Sequence, residues 1–340
     1  MRRAACATAA SWLSAWVIAT GPAAAADGTP LPAASDGTNA WVVVERTAPA
    51  GAQHVVLHHA LAMGGSYVRE AFVLPRRPEG NAAADAAVWI VMPPAERGAR
   101  RDVFSSTAVR SPATGAFYSD PPGRLSIHAS LPGDGALLGL AVDGGALLAW
   151  RSGAPIERLG PSGWTPLSAT VPAGASMLST IAGRPAVLGG VGPVALLGAE
   201  GTFSPAPWRV PAAGRVWPIE GTRRPAVGID AGDGGMRIEL LRDGPPIPFA
   251  SIEAPGRPSA VLGLGESVAV FASTGEGGLS IRRVDPITGK SMPAEVLEPQ
   301  RADASGWVCM AALAFAALGV AAGLAVRHAL GLKAARADRR

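Results

Sequence analysis

The chain has 340 residues, of which 48% are hydrophobic and 16% are charged, and only two are cysteines. Cys6 and Cys309 both lie in uncharged terminal stretches, so the residues between them have neither disulfides nor thiolate chemistry. The formal net charge of +4 comes from the two ends, because residues 27–305 carry 23 basic and 25 acidic side chains. We therefore expect no basic surface for nucleic acid on the folded part.

The N-terminal segment has the pattern of a secretory signal peptide. Arg2 and Arg3 precede an apolar stretch over residues 4–20, and a run of small residues follows it. This order predicts a signal peptide over residues 1–26, with cleavage in the alanine run. A first buried helix is the alternative. Residues 27–40 then form an N-terminal linker or a closing strand.

A repeat of about 40 residues fills the middle of the chain, residues 41–299. Apolar runs that end on a proline recur there, and the five from Pro132 onward are spaced by 40, 39, 44 and 44 residues. This spacing predicts six units, at residues 41–75, 87–132, 136–172, 176–211, 216–255 and 259–299.

The regular units divide into four short β-like runs. In residues 136–172 these are LLGLAVDGG, ALLAWRSG, PIERLGPSG and WTPLSATVP, which are separated by Gly, Pro, Ser and Asp. Four-stranded sheets at this period predict an all-β fold, a six-bladed β-propeller, because packing around an axis buries both faces of each sheet. A seventh blade results if residues 27–40 close the ring. A β-sandwich or two stacked β-domains are the alternative.

The stretch HVVLHHAL holds the first candidates for metal ligands. On a strand His54 and His58 share a face but lie about 13 Å apart, which is too far to bind one metal ion. We interpret these two and His59 as exposed or partly buried strand histidines. The sequence contains no G-x-S-x-G, H-E-x-x-H or P-loop motif. We therefore assign no catalytic residue, no metal ligand and no cofactor, and the missing motifs favour a protein that is not an enzyme.

Arginine recurs in the connections between units. Arg77, Arg215 and Arg257 each fall between the last strand of one unit and the first strand of the next. In a propeller these connections gather at one end of the axis, so the guanidinium groups can form a loose ring that binds a carboxylate, a phosphate or an acidic peptide. Solvated loop arginines are the alternative.

The last unit contains an Asp-Pro-x-Thr-Gly turn within RVDPITGK. This stretch resembles the strand-turn-strand of bacterial propeller families with PQQ-like or YVTN-type repeats, in which such a turn joins the outer strands. The resemblance covers Val284 to Lys290 and implies a propeller blade. The other units share only the strand order, so no quinone-binding residue is carried over.

An uncharged segment of 21 residues, 306–326, follows a short linker at residues 300–305. At about 1.5 Å per residue it is long enough to cross a bilayer core of about 30 Å. The tail, residues 327–340, carries five Arg or Lys against one Asp, which places it in the cytoplasm. We therefore predict a single-pass protein of the cell membrane with a periplasmic or extracellular N-terminal domain. A buried C-terminal helix is the alternative.

Together these features predict a membrane-tethered extracytoplasmic module of a bacterial envelope that binds or scaffolds through a propeller loop face. Its expected partners are the lipid bilayer and an envelope protein. The alternatives are an envelope hydrolase or lyase with a site in the propeller funnel, or a passive structural subunit. Converging buried carboxylates or histidines would favour the enzyme, and an apolar or arginine-lined face would favour binding.

Overall fold

In the computed structural model the described part of the chain consists of strands and their connections. The structure describes residues 32–49, 51–62, 65–96, 98–110, 117–120, 126–189, 192–210, 216–230, 235–253, 260–274 and 278–297. Within these ranges there are 25 strands. None of the described residues belongs to a helix that could cross a membrane. The predicted signal peptide and transmembrane segment lie outside these ranges.

The first two sheets cover residues 33–131. The first is an antiparallel meander of four strands, β1 (Ala33–Ser35), β2 (Asn39–Ala48), β3 (Gly51–Ala62) and β4 (Gly65–Leu74). The second has five strands, β5 (Gly80–Ala84), β6 (Ala87–Val91), β7 (Arg101–Arg110), β8 (Phe117–Asp120) and β9 (Ser126–Leu131). One edge of β7 pairs with β6, and the other pairs with both β8 and β9. Strands β8 and β9 therefore both occupy the fourth, outermost position of the sheet, after β5, β6 and β7.

The third sheet has eight strands over residues 137–210. They are β10 (Leu137–Asp143), β11 (Ala146–Arg151), β12 (Glu157–Gly160), β13 (Gly163–Pro166), β14 (Met177–Ile181), β15 (Arg184–Leu188), β16 (Gly192–Leu197) and β17 (Phe203–Val210). Two antiparallel halves of four strands join where β10 and β14 run parallel, at the pair Gly139 and Leu178. A side chain at residue 139 would collide with the Leu178 carbonyl group, so glycine permits this close approach.

The last two sheets are antiparallel meanders of four strands each. The fourth sheet contains β18 (Val216–Pro218), β19 (Ala226–Asp230), β20 (Gly235–Leu240) and β21 (Ile247–Glu253). The fifth contains β22 (Ala260–Leu264), β23 (Ser267–Ser273), β24 (Leu279–Val284) and β25 (Glu295–Leu297).

The first strand of each four-stranded unit lies on an inner ring. Strand β5 contacts β1 and β10, β14 contacts β10 and β18, and β22 contacts β1. The turn after β18 reaches β22, because the N–H of Gly263 donates to the carbonyl of Glu220 at 2.6 Å. The carbonyl of Gly37 in turn accepts the N–H of Gly265 at 2.5 Å. The first and fifth sheets are thereby joined.

Apolar side chains fill the space between successive sheets. In β2 alternate residues point to opposite faces, and both sets are apolar. Trp41 and Val43 pack against Ile90 of the second sheet, whereas Val42 packs against Phe271 of the fifth. Similar clusters lie between the remaining neighbours, including the two halves of the third sheet. Burial of both sheet faces is consistent with a β-propeller, whereas a two-sheet sandwich exposes its outer faces.

The predicted β-like runs coincide with strands. The four runs of residues 136–172 contain β10 to β13, although the last run, residues 164–172, is a strand only as far as Pro166, and those of 259–299 contain β22 to β25. The Asp-Pro-x-Thr-Gly turn joins β24 and β25 as predicted, and the Asp285 carboxylate accepts the N–H groups of Ile287 and Thr288. Strand β1 lies within residues 27–40, where the sequence predicts a linker or closing strand, and it pairs with β2.

Candidate functional site

A cavity of about 430 Å³ opens where the inner strands meet. Residues of β1, β5, β10, β14, β18 and β22 all line it, so every four-stranded unit contributes its first strand. We call it the axial cavity. Its walls are mainly apolar. The polar exceptions, apart from the indole of Trp217, are the side chains of Glu79, Asn81, Ser179 and Glu220.

Glu220 lies in the turn after β18, and its main chain is fixed by its surroundings. Its carbonyl accepts the N–H of Gly263, as described above. Gly221 follows with φ of +80°, and a side chain there would crowd the carbonyl of Gly263. The hydroxyl of Thr222 donates to the carbonyl of Ile219 at 3.1 Å. The sequence VWPIEGT therefore ends an inner strand in a tight turn that holds the Glu220 carboxyl group at the cavity.

The Glu220 carboxyl group accepts two hydrogen bonds from the neighbouring unit. Ser179 is buried and donates its hydroxyl to Oε1 at 2.9 Å, and the backbone N–H of Thr180 donates a second bond. Burial raises the pKa of Glu220 to about 7, although both hydrogen bonds act to lower it. Glu220 is partly exposed and lines the cavity. Glu220 therefore exchanges its proton near neutral pH.

The second carboxyl group at the cavity, that of Glu79, is held by an arginine. Arg101 is 3% exposed, and its Nε and Nη2 atoms donate to the two carboxylate oxygens at 2.5 and 3.0 Å. The same guanidinium group donates to the carbonyls of Pro132 and Gly135 at 2.8 and 2.7 Å. This ion pair fastens the connection between the second and third sheets beside the cavity. In the part of the chain that the structure describes, no arginine or lysine lines the cavity next to Glu220.

Asn81 adds an amide to the cavity wall. It lies in β5 and is 9% exposed, and its Nδ2 has no hydrogen-bond partner within the described ranges. A buried donor without a partner costs about 1–3 kcal/mol. Because rotation of the amide by 180° exchanges its two ends, Asn81 can present either an N–H or a C=O group to a ligand.

This arrangement suits binding better than hydrolysis by paired carboxylates. Glycoside hydrolysis uses two carboxyl groups on either side of the scissile bond, whereas Glu79 is occupied by Arg101. Among the residues that the structure describes, no group of three or more His, Cys, Asp or Glu side chains could hold a metal ion. The cavity instead combines apolar walls with a few polar groups, which is typical of small-molecule sites.

The predicted arginine ring is only partly covered by the structure. Arg77 lies half-buried in the connection between β4 and β5 and does not line the axial cavity. Arg215 and Arg257 lie outside the described residues. The neighbouring Arg76 donates to the carbonyl of Pro93 at 2.5 Å. The ring therefore stays a prediction.

The adjacent histidines of β3 fill positions in the core. His58 stacks on Trp41 with 5.0 Å between ring centroids, and its Nε2 lies 3.0 Å from Oδ1 of Asn39. His59, on the opposite face, meets Phe271 edge-on at 5.8 Å. Both are fully buried, more deeply than the sequence predicts, because β3 packs against sheets on both sides. Burial lowers the pKa of His58 to about 4 and that of His59 to about 3, so both stay neutral near pH 7.

The polar residues of the cavity belong to no motif, and the sequence does not predict them. Their placement depends on how the units pack around the axis.

No protein-family profile matches the sequence. No curated protein matches it either. Several solved structures are similar to this chain. The BP39L lectin from Burkholderia pseudomallei is 13% identical, with 79% of this chain and 99% of that chain covered and a TM-score of 0.42. Apo AztD from Citrobacter koseri is 11% identical, with 77% of this chain and 87% of that chain covered and a TM-score of 0.41. Human WBSCR16 is 13% identical, with 80% of this chain and 83% of that chain covered and a TM-score of 0.40.

Proposed function

We propose that this protein is a membrane-tethered extracytoplasmic binding module, a six-bladed β-propeller that recognises a small molecule in its axial cavity. The observation that carries the proposal is the cavity itself, about 430 Å³ of mainly apolar space with the Ser179–Glu220 pair and Asn81 at its wall. This volume and composition lie in the range of sites that hold small ligands.

The strands divide into six units, five of four strands and one of five, and six clusters of buried residues lie between neighbouring units, which supports the blade count. The proposed location of the domain outside the cytoplasm rests on the sequence alone. The signal pattern of residues 1–26 and the uncharged span 306–326 with its basic tail support a domain outside the cytoplasm, anchored by one helix. An envelope protein that responds to the ligand-bound module is the expected macromolecular partner.

A hydrolase or lyase is the second candidate, and one observation favours it. With a pKa raised to about 7, Glu220 is suited to donate or accept a proton near neutral pH. It has no second free carboxyl group beside it within the described residues, since Glu79 is paired with Arg101. Enzymes of this kind assemble several groups around the reacting bond, and for this reason binding is the better-supported function.

The test is a fragment screen on the full-length protein in detergent, read by ligand-observed NMR, with a variant whose cavity is filled. Ala260 lines the cavity, so Ala260→Phe should abolish binding of the wild-type hits. The matched control is Val296→Phe, on the exposed face of β25, which should retain them. Hits that bind Ala260→Phe as well as wild type would contradict the axial site. Turnover of a hit, lost in Glu220→Gln, would favour the enzyme.

A further inference from the structure

We propose that the axial cavity selects an organic cation with an apolar body, such as a primary ammonium carried on an aromatic or branched hydrocarbon group, whose charged end pairs with Glu220. This inference rests on the proposed binding function and specifies its ligand class. It follows from the charges, the hydrogen-bond capacity and the walls of the cavity.

The charges at the cavity are unbalanced. Its ionisable lining side chains are Glu79 and Glu220, and only Glu79 has an arginine partner among the residues described. An anionic ligand would meet uncompensated negative charge, whereas a cation would supply the missing partner. Buried charges in proteins are paired, so an unpaired carboxyl group facing a cavity is a position for a ligand's positive charge.

The hydrogen bonds at Glu220 leave capacity for such a ligand. Ser179 and the backbone of Thr180 donate two hydrogen bonds, and both donors are neutral. A carboxylate has about four acceptor positions, so an ammonium group can use the remainder. Burial raises the pKa of Glu220 to about 7, and a cation beside the carboxyl group would act in the opposite direction.

The walls define the rest of the ligand. Trp217, Leu138 and Leu262 line the cavity with apolar surface, and the indole face of a tryptophan also attracts cations. A metal ion would find too few oxygen ligands here, because a hard cation such as Ca²⁺ takes six to eight oxygen ligands. The occupant is therefore an amphipathic organic cation.

The experiment compares three probes of similar shape by isothermal titration with the full-length protein: phenethylammonium, 2-phenylethanol and phenylacetate. At pH 8 we expect phenethylammonium to bind at least tenfold more tightly than the alcohol, and phenylacetate not to bind. Glu220→Gln should remove the advantage of the ammonium. The control Glu266→Gln changes an exposed acid paired with exposed Arg223 and should leave it intact.

A pH series on the wild-type protein gives a second readout that needs no variant. Protons compete with the cation for Glu220, so the affinity for phenethylammonium should fall about tenfold per pH unit below pH 7, while that for phenylethanol stays constant. Equal binding of the ammonium and the alcohol, or binding of phenylacetate, would overturn the inference. If the ammonium and the alcohol bind equally and Ala260→Phe excludes both, the cavity is a binding site and only the preference for cations is wrong. If phenethylammonium does not bind at all, the inference is also wrong, and the fragment screen decides separately on the binding function.

Discussion

Glu220 keeps its proton over part of the neutral range because burial at the cavity wall disfavours the charged carboxylate. Its pKa is raised from 4.5 to about 7, so between these values the folded state binds more protons than the unfolded chain. The free energy of unfolding therefore falls as pH rises through this window, and the loss is complete above pH 7. The same ionisation prepares the site for a cation, so binding and stability depend on pH in opposite directions.

The change Glu220→Gln should remove this pH dependence. The stability of the wild-type protein minus that of the variant should decrease by on the order of 2–3 kcal/mol from pH 4.5 to pH 8. Urea unfolding followed by tryptophan fluorescence at several pH values measures it. The difference between the two proteins removes the contribution of the buried His58 and His59. Their lowered pKa values make both proteins less stable at acid pH. A constant difference across the range would contradict the role of burial at this residue.

The Glu79–Arg101 pair is the clearest case of a buried charge that depends on one partner. Glu79→Gln would leave the guanidinium group of Arg101, which is 3% exposed, with neutral hydrogen-bond partners only. We expect a loss of about 2–4 kcal/mol in the free energy of unfolding, because the remaining charge stays buried. Glu266→Gln breaks an exposed pair and should cost less than about 1 kcal/mol in the same urea experiment. Equal losses in the two variants would show that the buried pair contributes no more to the free energy of unfolding than the exposed pair.

At the level of elements, the junction between β10 and β14 depends on a close approach of two main chains. Gly139→Ala would place a methyl group against the carbonyl of Leu178. We expect a loss of about 2–4 kcal/mol, which thermal unfolding can measure. Gly153→Ala is the control, since Gly153 also has a positive φ, +77°, but nothing lies within 4 Å of the added carbon. It should cost about 1 kcal/mol through backbone strain alone. A cost at Gly139 no larger than at Gly153 would contradict the close approach.

The strands could be predicted from the sequence because they depend on local features. Runs such as LLGLAV and ALLAWR are apolar on both faces, and Gly, Asp or Ser residues end them, so the pattern marks each strand without knowledge of its neighbours. The division of the outer strand of the second sheet into β8 and β9 was not predictable in this way. It depends on the pairing of both with one long strand, β7.

At the level of the whole molecule, the axial cavity brings together residues from position 32 to position 262. Each polar group in it is ordinary within its own segment: Ser179 lies in a short strand and Glu220 in a turn. Their meeting depends on the packing of successive units, which a sequence read segment by segment does not contain. The sequence predicts binding residues in the connections between units, whereas the cavity takes its polar groups from the inner strands and from residues that directly flank them.

The contact between Gly37 and the turn after β22 joins segments more than 200 residues apart. Both the Gly37–Leu264 bridge and the packing of Val42 against Phe271 require the last sheet to be present before the first can bury its second face. Until then one apolar face of the first sheet stays exposed to solvent. Contacts so distant along the chain make folding slow and leave intermediates prone to aggregation. A protein built in this way depends on its fifth sheet, residues 260–297, to protect its first, and it is vulnerable during synthesis until those residues have been made.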